Sequence, residues 1–167
     1  MTPNIREATL ADAEELQRYA ARLFTEHLPG IYRRAVPTLE EEHDFIRAHT
    51  EPERSIMLLA EADGQVVGLL GFLARQLPQE SHVGAFGISV DRDYRGNGIG
   101  SALIEALIEW APRQGIRRIE VEAFAINERA IHLYEHLGFK QEGRRRSAVI
   151  IEDKAVDVIF LARILTA

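Results

Sequence analysis

"VDRDYRGNGIGSALIEAL", residues 90–107, sets Gly96, Gly98 and Gly100 between a strand-like stretch and a helix-like one. Glycine takes φ > 0 freely and has no side chain to block a ligand, so such a unit can turn several backbone N–H groups toward one oxyanion. The N-terminus of the following helix adds unpaired donors and a partial positive charge. Upstream, Val83–Val90 alternates Phe86, Ile88 and Val90 with Ala85, Gly87 and Ser89, which predicts a strand with one large apolar face and one nearly bare. Downstream, Ile99, Leu103, Leu107 and Trp110 recur at helical spacing as far as Pro112. Strand, loop and helix together predict one parallel crossover in mid-chain.

Around this unit the pattern changes. Ile5–Ala8 reads as a short opening strand, and Thr9 and Asp12 have capping-box spacing ahead of a helix through about Leu23. Thr38 and Glu41 repeat the spacing before a second helix, roughly Leu39–His49. Between them HLPGIYRRAVP reads as a loop. Ser55–Ala62 and Val66–Ala74 flank Asp63-Gly64, a hairpin signature. Arg117–Phe124 is strand-like and Glu128–Leu137 helical, with Gly138 placed to close that helix. Lys140–Ile151 and Ala155–Ile164 finish the chain as a second hairpin. At 167 residues, with neither linker nor repeat, residues 1–167 read as one domain.

Two familiar phosphate motifs fit poorly. A Walker loop needs Gly-Lys-Ser/Thr, which is absent. A dinucleotide fingerprint starting at Gly96 would end on Ser101 with Glu120 some way on, but too few βαβ units follow for a doubly wound sheet. A tight strand–helix turn without any ligand uses the same glycines. What the letters do match is R-x-x-G-x-G, written so that Arg95 and Gly96 open the run Arg95-Gly96-Asn97-Gly98-Ile99-Gly100. With "NERAIHLYEHLGFKQEGRRR" (residues 127–146) as a second segment, the sequence resembles the GNAT superfamily of acetyl-CoA-dependent N-acetyltransferases. The resemblance runs from about Ser55 to Ile164, and the ending looks most like the bacterial branch that contains amino-acid and polyamine N-acetyltransferases.

The resemblance implies an α/β fold: a mixed, mostly antiparallel sheet of about seven strands flanked by helices, with a splayed parallel pair at the cofactor site. It places the pyrophosphate of acetyl-CoA on the amides of Arg95, Gly96, Asn97, Gly98, Ile99, Gly100 and Ser101, and the pantetheine arm beside Ile88, Ser89 and Val90. A backbone N–H near Ser89 or Val90 would polarise the thioester carbonyl. Arg92 and Arg95 are near enough to add charge. The resemblance also makes Tyr134 the acid that protonates the departing thiolate, a task suited to a phenol, which is protonated at neutral pH. Packing with Ala130 and Leu137 on a helix face is the alternative. Asn127 reads both as a helix N-cap and as a cofactor contact. A homodimer through the closing strands rests on the resemblance alone.

The base is open. Glu120 and Glu122 alternate with Ile119, Val121 and Ala123 and so share one strand face, where either would take the amine proton through water or simply pair with Arg117 or Arg118. His82 is a third candidate. His132 and His136, spaced i,i+4, lack a further ligand in a recognisable spacing, so no metal is expected. The chain has no cysteine, which excludes disulfides and a cysteine acyl-enzyme and favours direct attack in a ternary complex. A formal net charge of -6 argues against non-specific nucleic-acid binding, and the apolar runs are too short for a membrane span or a signal core, so a cytoplasmic setting is expected. For the acceptor, Glu26 and Glu40–Glu42 would attract a cationic amine, whereas Arg33, Arg34 and Arg144–Arg146 would hold a carboxylate.

Overall fold

The computed structural model describes residues 2–26 and 35–166; the expected loop with Arg33 and Arg34 lies largely outside them. Seven strands form one sheet in the order β1-β2-β3-β4-β5-β7-β6. They are β1 (Asn4–Glu7), β2 (Ile56–Ala62), β3 (Gln65–Ala74), β4 (Val83–Val90), β5 (Arg118–Phe124), β6 (Lys140–Ile151) and β7 (Lys154–Ile164). Every neighbouring pair is antiparallel except β4 and β5, so the mid-chain crossover supplies the single parallel contact.

Four helices cover the sheet: α1 (Ala13–Phe24), α2 (Leu39–Thr50), α3 (Ile99–Trp110) and α4 (Glu128–His136). Strand alternation sorts the core into two clusters. On one face Leu16, Tyr19 and Leu23 of α1 and Ile46 of α2 pack with Met57, Leu59 and Val66. On the other, Ile99, Leu103 and Leu107 of α3 and Tyr134 of α4 pack with Phe72, Phe86 and Ile119. The sheet therefore separates an α1/α2 face from an α3/α4 face.

Local chemistry explains most boundaries. Asp63 and Gly64 both take positive φ, 51° and 75°, as a two-residue turn between twisted strands requires. At α2, Thr38 Oγ1 accepts from Glu41 N at 3.2 Å while Glu41 Oε2 accepts from Thr38 N at 2.8 Å, the reciprocal cap that the spacing predicts. The matching pair at Thr9 and Asp12 does something different. It spans a short 3₁₀ turn over Leu10–Asp12, and Asp12 also takes Arg6 Nη2 at 2.6 Å, tying β1 to the start of α1. That guanidinium holds the Asp12 carboxyl below its usual range.

Candidate active site

The ladder between β4 and β5 is short. Val83 pairs with Arg118, Gly84 with Ile119 and Ala85 with Glu120, and the pairing stops there. Both strands continue, β4 held by β3 as far as Val90 and β5 held by β7 as far as Phe124. A gap therefore opens beside Phe86, with backbone groups on its two rims. Parity shows which ones. Arg75 N donates to Val83 O and Asp91 N to Val67 O, so odd-numbered residues of β4 bond to β3, and the N–H and C=O of Phe86, Ile88 and Val90 turn to the gap. Of the two amides expected to act as oxyanion donor, that of Ser89 faces β3 and that of Val90 turns to the gap, where the Ile88 amide joins it.

At the far end of β4 the chain passes through Asp91 and a 3₁₀ turn into the glycine loop. Gly96 and Gly98 sit at φ +79° and +78°, a conformation that side chains disfavour. Gly98 is the N-cap of α3, and this helix has neither a side-chain cap nor an acidic residue in its first turn. Ala102 N is bonded to Gly98 O, so the preceding amides of Ile99, Gly100 and Ser101 have no partner within the helix. A Cβ on Gly98 would meet no atom of the described residues within 4 Å, which leaves that approach open among them. A Cβ on Gly100 would come within 3.3 Å of Leu133 Cδ2, so this glycine instead lets α3 pack on α4. Uncapped amides with open space before them fit a pyrophosphate.

Of the two arginines expected beside this cradle, Arg95 has its charge engaged elsewhere. Arg95 is turned inward: its Nε donates to Val90 O at 3.0 Å, and Nη1 pairs with Glu26 Oε2 at 2.7 Å. Glu26 is accordingly a partner of the loop rather than a lure for an amine. Arg129, in the first turn of α4, reaches over the loop instead, its Nη2 lying 3.8 Å from where a Cβ on Gly96 would be. It is exposed and in no ion pair among the described residues. The reading of the sequence missed it, although its place two residues after the helix cap was a usable signal. Asn127 Oδ1 accepts from Ala130 N at 3.2 Å, fulfilling the capping role.

Tyr134 comes to the same opening from α4. Its ring is 5% exposed and stands edge-on to Phe86, 5.8 Å between centroids, at the point where the parallel ladder ends. Phe139 lies 6.1 Å from Tyr134 and 5.8 Å from Phe86, so the three rings form a triangle. The hydroxyl makes no hydrogen bond to a described residue, and burial pushes the phenol up to about 12. Its proton is held throughout the neutral range.

The α1/α2 face carries the bare side of β4. Tyr19, 3% exposed and pushed above the usual phenol range by burial, shares a hydrogen bond of 2.9 Å with Ser89 Oγ. Beside it, Asp91 takes Arg22 Nε at 2.9 Å. Among the described residues Gly87 is open: a Cβ there would touch none of their atoms within 4 Å. Glu120 and Glu122 share this face as expected, but neither is free. Glu120 is held by Arg75 Nη2 at 2.7 Å and Arg118 Nε at 2.8 Å, and Glu122 by Arg145 Nη2 at 2.9 Å.

A profile of the acetyltransferase (GNAT) family matches residues 15–139. The chain belongs to the GNAT family. It is 37% identical over 108 residues to the L-amino acid N-acetyltransferase AaaT of Escherichia coli, a match covering 64% of this chain and 67% of that one. A GNAT acetyltransferase from Streptococcus pneumoniae has the same fold at a TM-score of 0.90 and 32% identity, over 98% of this chain and 99% of that one. Salmonella typhimurium yncA, solved with its cofactor acetyl-CoA, superposes at a TM-score of 0.86 over 99% and 95% of the two chains; at 20% identity it speaks for the fold alone. The chain spans about half the length of the other curated relatives it matches.

Within this GNAT fold the remaining candidates fall outside the opening. His82 is exposed just before β4, roughly 25 Å of strand from the glycine loop. His132 and His136 are exposed on α4, and no cluster of three or more metal-binding side chains occurs among the described residues. Arg144 is taken by Asp157, and Arg145 stacks 4.8 Å over the Phe160 ring. No helix among the described residues is long and apolar enough to cross a membrane.

Proposed function

We propose that this GNAT chain transfers the acetyl group of acetyl-CoA to the primary amine of a small, amino-acid-like molecule by direct attack in a ternary complex. The observation that carries the reading is the opening between β4 and β5, which has a phosphate cradle on one side and an unfilled, bare strand face on the other. The amides of Ile99, Gly100 and Ser101, with Arg129, would hold the pyrophosphate. The rim of Ile88 and Val90 would pair with the pantetheine amides as an added strand does, and direct an N–H at the thioester carbonyl. Tyr134 would donate to sulfur as the C–S bond opens.

The relative named for L-amino acids supports that acceptor class, and the arginines around Glu120 and Glu122 offer guanidinium groups to a carboxylate that displaces a glutamate. A homodimer belongs to the same reading. Strand β6 is one of the two sheet edges, opposite β1, and it is exposed along nearly its full length, with Ile150 at 68% exposure. The test is thiol release from acetyl-CoA with purified protein and a panel of L-amino acids, polyamines, an aminoglycoside and a basic peptide. Preference for L-amino acids confirms the reading. Tight coenzyme A binding with no turnover on any amine would replace it with a non-catalytic acyl-CoA-binding role. Parallel double-reciprocal lines would overturn the ternary complex.

A further inference from the structure

One histidine on the acceptor side combines a fixed tautomer with a seat on the sheet. His49, in the last turn of α2, places its Nδ1 2.9 Å from the carbonyl oxygen of Phe45. A carbonyl can only accept, so Nδ1 carries a proton and the neutral ring has its lone pair at Nε2. Among the described residues nothing hydrogen-bonds Nε2. The ring stands edge-on to Phe45 at 4.7 Å and rests on Gly71 of β3: a Cβ at that position would lie 2.7 Å from Cδ2 and 2.8 Å from Nε2. Any other residue at 71 would push the imidazole away. Directly across the ladder, Gly71 pairs with Gly87 of β4, where no described residue fills the space. Gly87 lies between Phe86 and Ile88, whose backbones rim the gap. Two facing glycines thus put an imidazole lone pair next to an unfilled site that communicates with the thioester position.

We propose that His49 Nε2 is the proton acceptor for the incoming amine, bound over Gly87. The proposal rests on the acetyltransfer reading and deepens it, since Glu120 and Glu122 are both held by arginines. The amine arrives as an ammonium ion, and Nε2 takes one proton from it. The free nitrogen then attacks the thioester carbonyl carbon, forming the C–N bond. The C–S bond breaks with its electron pair on sulfur, which takes the Tyr134 phenolic proton. The second amine proton returns to Tyr134 through water, and the imidazolium releases its own to solvent. The sum is ammonium plus thioester giving amide, thiol and one proton.

Among the described residues, strands β3 and β4 present Val66, Leu69, Gly71, Leu73, Val83, Ala85, Gly87 and Ser89 on this face, none of them charged. Tyr19 of α1 is engaged by Ser89, Glu120 of β5 is paired with Arg75 and Arg118, and Glu122 with Arg145. On α2 itself, Arg47 pairs with Asp44 and Glu51.

The experiment is a pH series of acetyl transfer to an L-amino acid accepted by the wild type, run with His49→Gln and His49→Ala beside coenzyme A calorimetry. The proposal expects kcat to fall at least 100-fold in both variants, with KM for acetyl-CoA and coenzyme A affinity within threefold of wild type. It also expects the acid limb of the wild-type kcat/KM profile to vanish in His49→Gln, and added imidazole to restore turnover in His49→Ala. An unchanged acid limb and kcat within threefold in His49→Gln would overturn this role while leaving the acetyltransfer reading intact. A wild type that binds coenzyme A yet acetylates no amine would overturn that reading, and the role with it.

Discussion

Tyr134→Phe separates the chemistry of this side chain from its packing. The ring is buried against Phe86 and Phe139, contacts that phenylalanine keeps, and the hydroxyl has no hydrogen-bond partner among the described residues. Removing an unpartnered hydroxyl sacrifices no protein hydrogen bond and little apolar area, so stability is expected to stay within about 1 kcal/mol of wild type. Turnover is a different matter. With its phenol at about 12, Tyr134 is well above an ordinary thiol near 8.5, so outright transfer to a thiolate is uphill. The phenol works instead by donating to sulfur as the C–S bond opens, with its proton made good by the amine. Such a donor contributes about 10²–10⁴-fold, roughly 3–5 kcal/mol of barrier. The assay pairs steady-state thiol release with coenzyme A calorimetry and a urea unfolding curve. Loss of kcat at unchanged affinity and urea midpoint is the expected result. A variant with kcat within threefold of wild type would refute the reasoning, and one whose activity falls only as its midpoint falls would assign the ring to the core.

Gly98→Trp should abolish coenzyme A binding while the fold survives, at a strain of about 1–3 kcal/mol for a non-glycine residue at φ +78°, because no atom of the described residues lies within 4 Å of where its Cβ would go; calorimetry and circular dichroism check the two halves. Arg129→Ala should weaken coenzyme A by about 10- to 100-fold, the worth of a charge-assisted hydrogen bond, and the loss should shrink as salt rises. Gly84→Ala should unfold readily, since the new methyl would sit 2.2 Å from Phe72 Cζ and 2.8 Å from Leu73 O; an unfolding midpoint equal to wild type would count against this packing. Alkaline pH should destabilise the protein. Burial penalises the ionised phenol, so a rise from 10 to about 12 leaves stability unchanged below pH 10 and lowers it as pH climbs through 12, by roughly 3 kcal/mol for Tyr134, with Tyr19 acting in the same direction. Tyr134→Phe should flatten part of that decline in urea titrations between pH 9 and 12.

The features legible in the sequence are those whose cause is local. Gly98 is an N-cap because the chain must turn through φ > 0 just before Ile99, and that need is written in three neighbouring letters. The reciprocal cap of Thr38 and Glu41 and the Asp63-Gly64 turn are decided within four residues in the same way. Period-two alternation likewise put Glu120 and Glu122 on one face, and the pairing with Ala162 and Phe160 agrees. What alternation does not specify is which strand lies alongside. Arg75 is 45 residues from Glu120 and reaches it only because β3, β4 and β5 are successive in the sheet. A carboxylate that looks free in sequence is thereby paired.

Arg95 and His49 show the same limit from opposite sides. Arg95 stands in the motif, and a motif suggests that its charge serves the anion; the docking of α1 brings Glu26 within 2.7 Å and spends that charge on joining helix and loop. His49 stands in no motif. Its lone pair faces the acceptor side only because Phe45 precedes it by one helical turn and because Gly71, far along the chain, leaves room for the ring. Gly71 itself reads in sequence as a weak spot within a strand, and its use appears only once α2 is laid across β3. The two glycines that oppose each other at 71 and 87 then divide one task, the first seating the imidazole and the second keeping the space beside it open. Alanine at either position should accordingly impair turnover, by different routes. At 71 it displaces the base and should alter the pH profile; at 87 it narrows the acceptor space and should raise the acceptor KM while the profile keeps its shape.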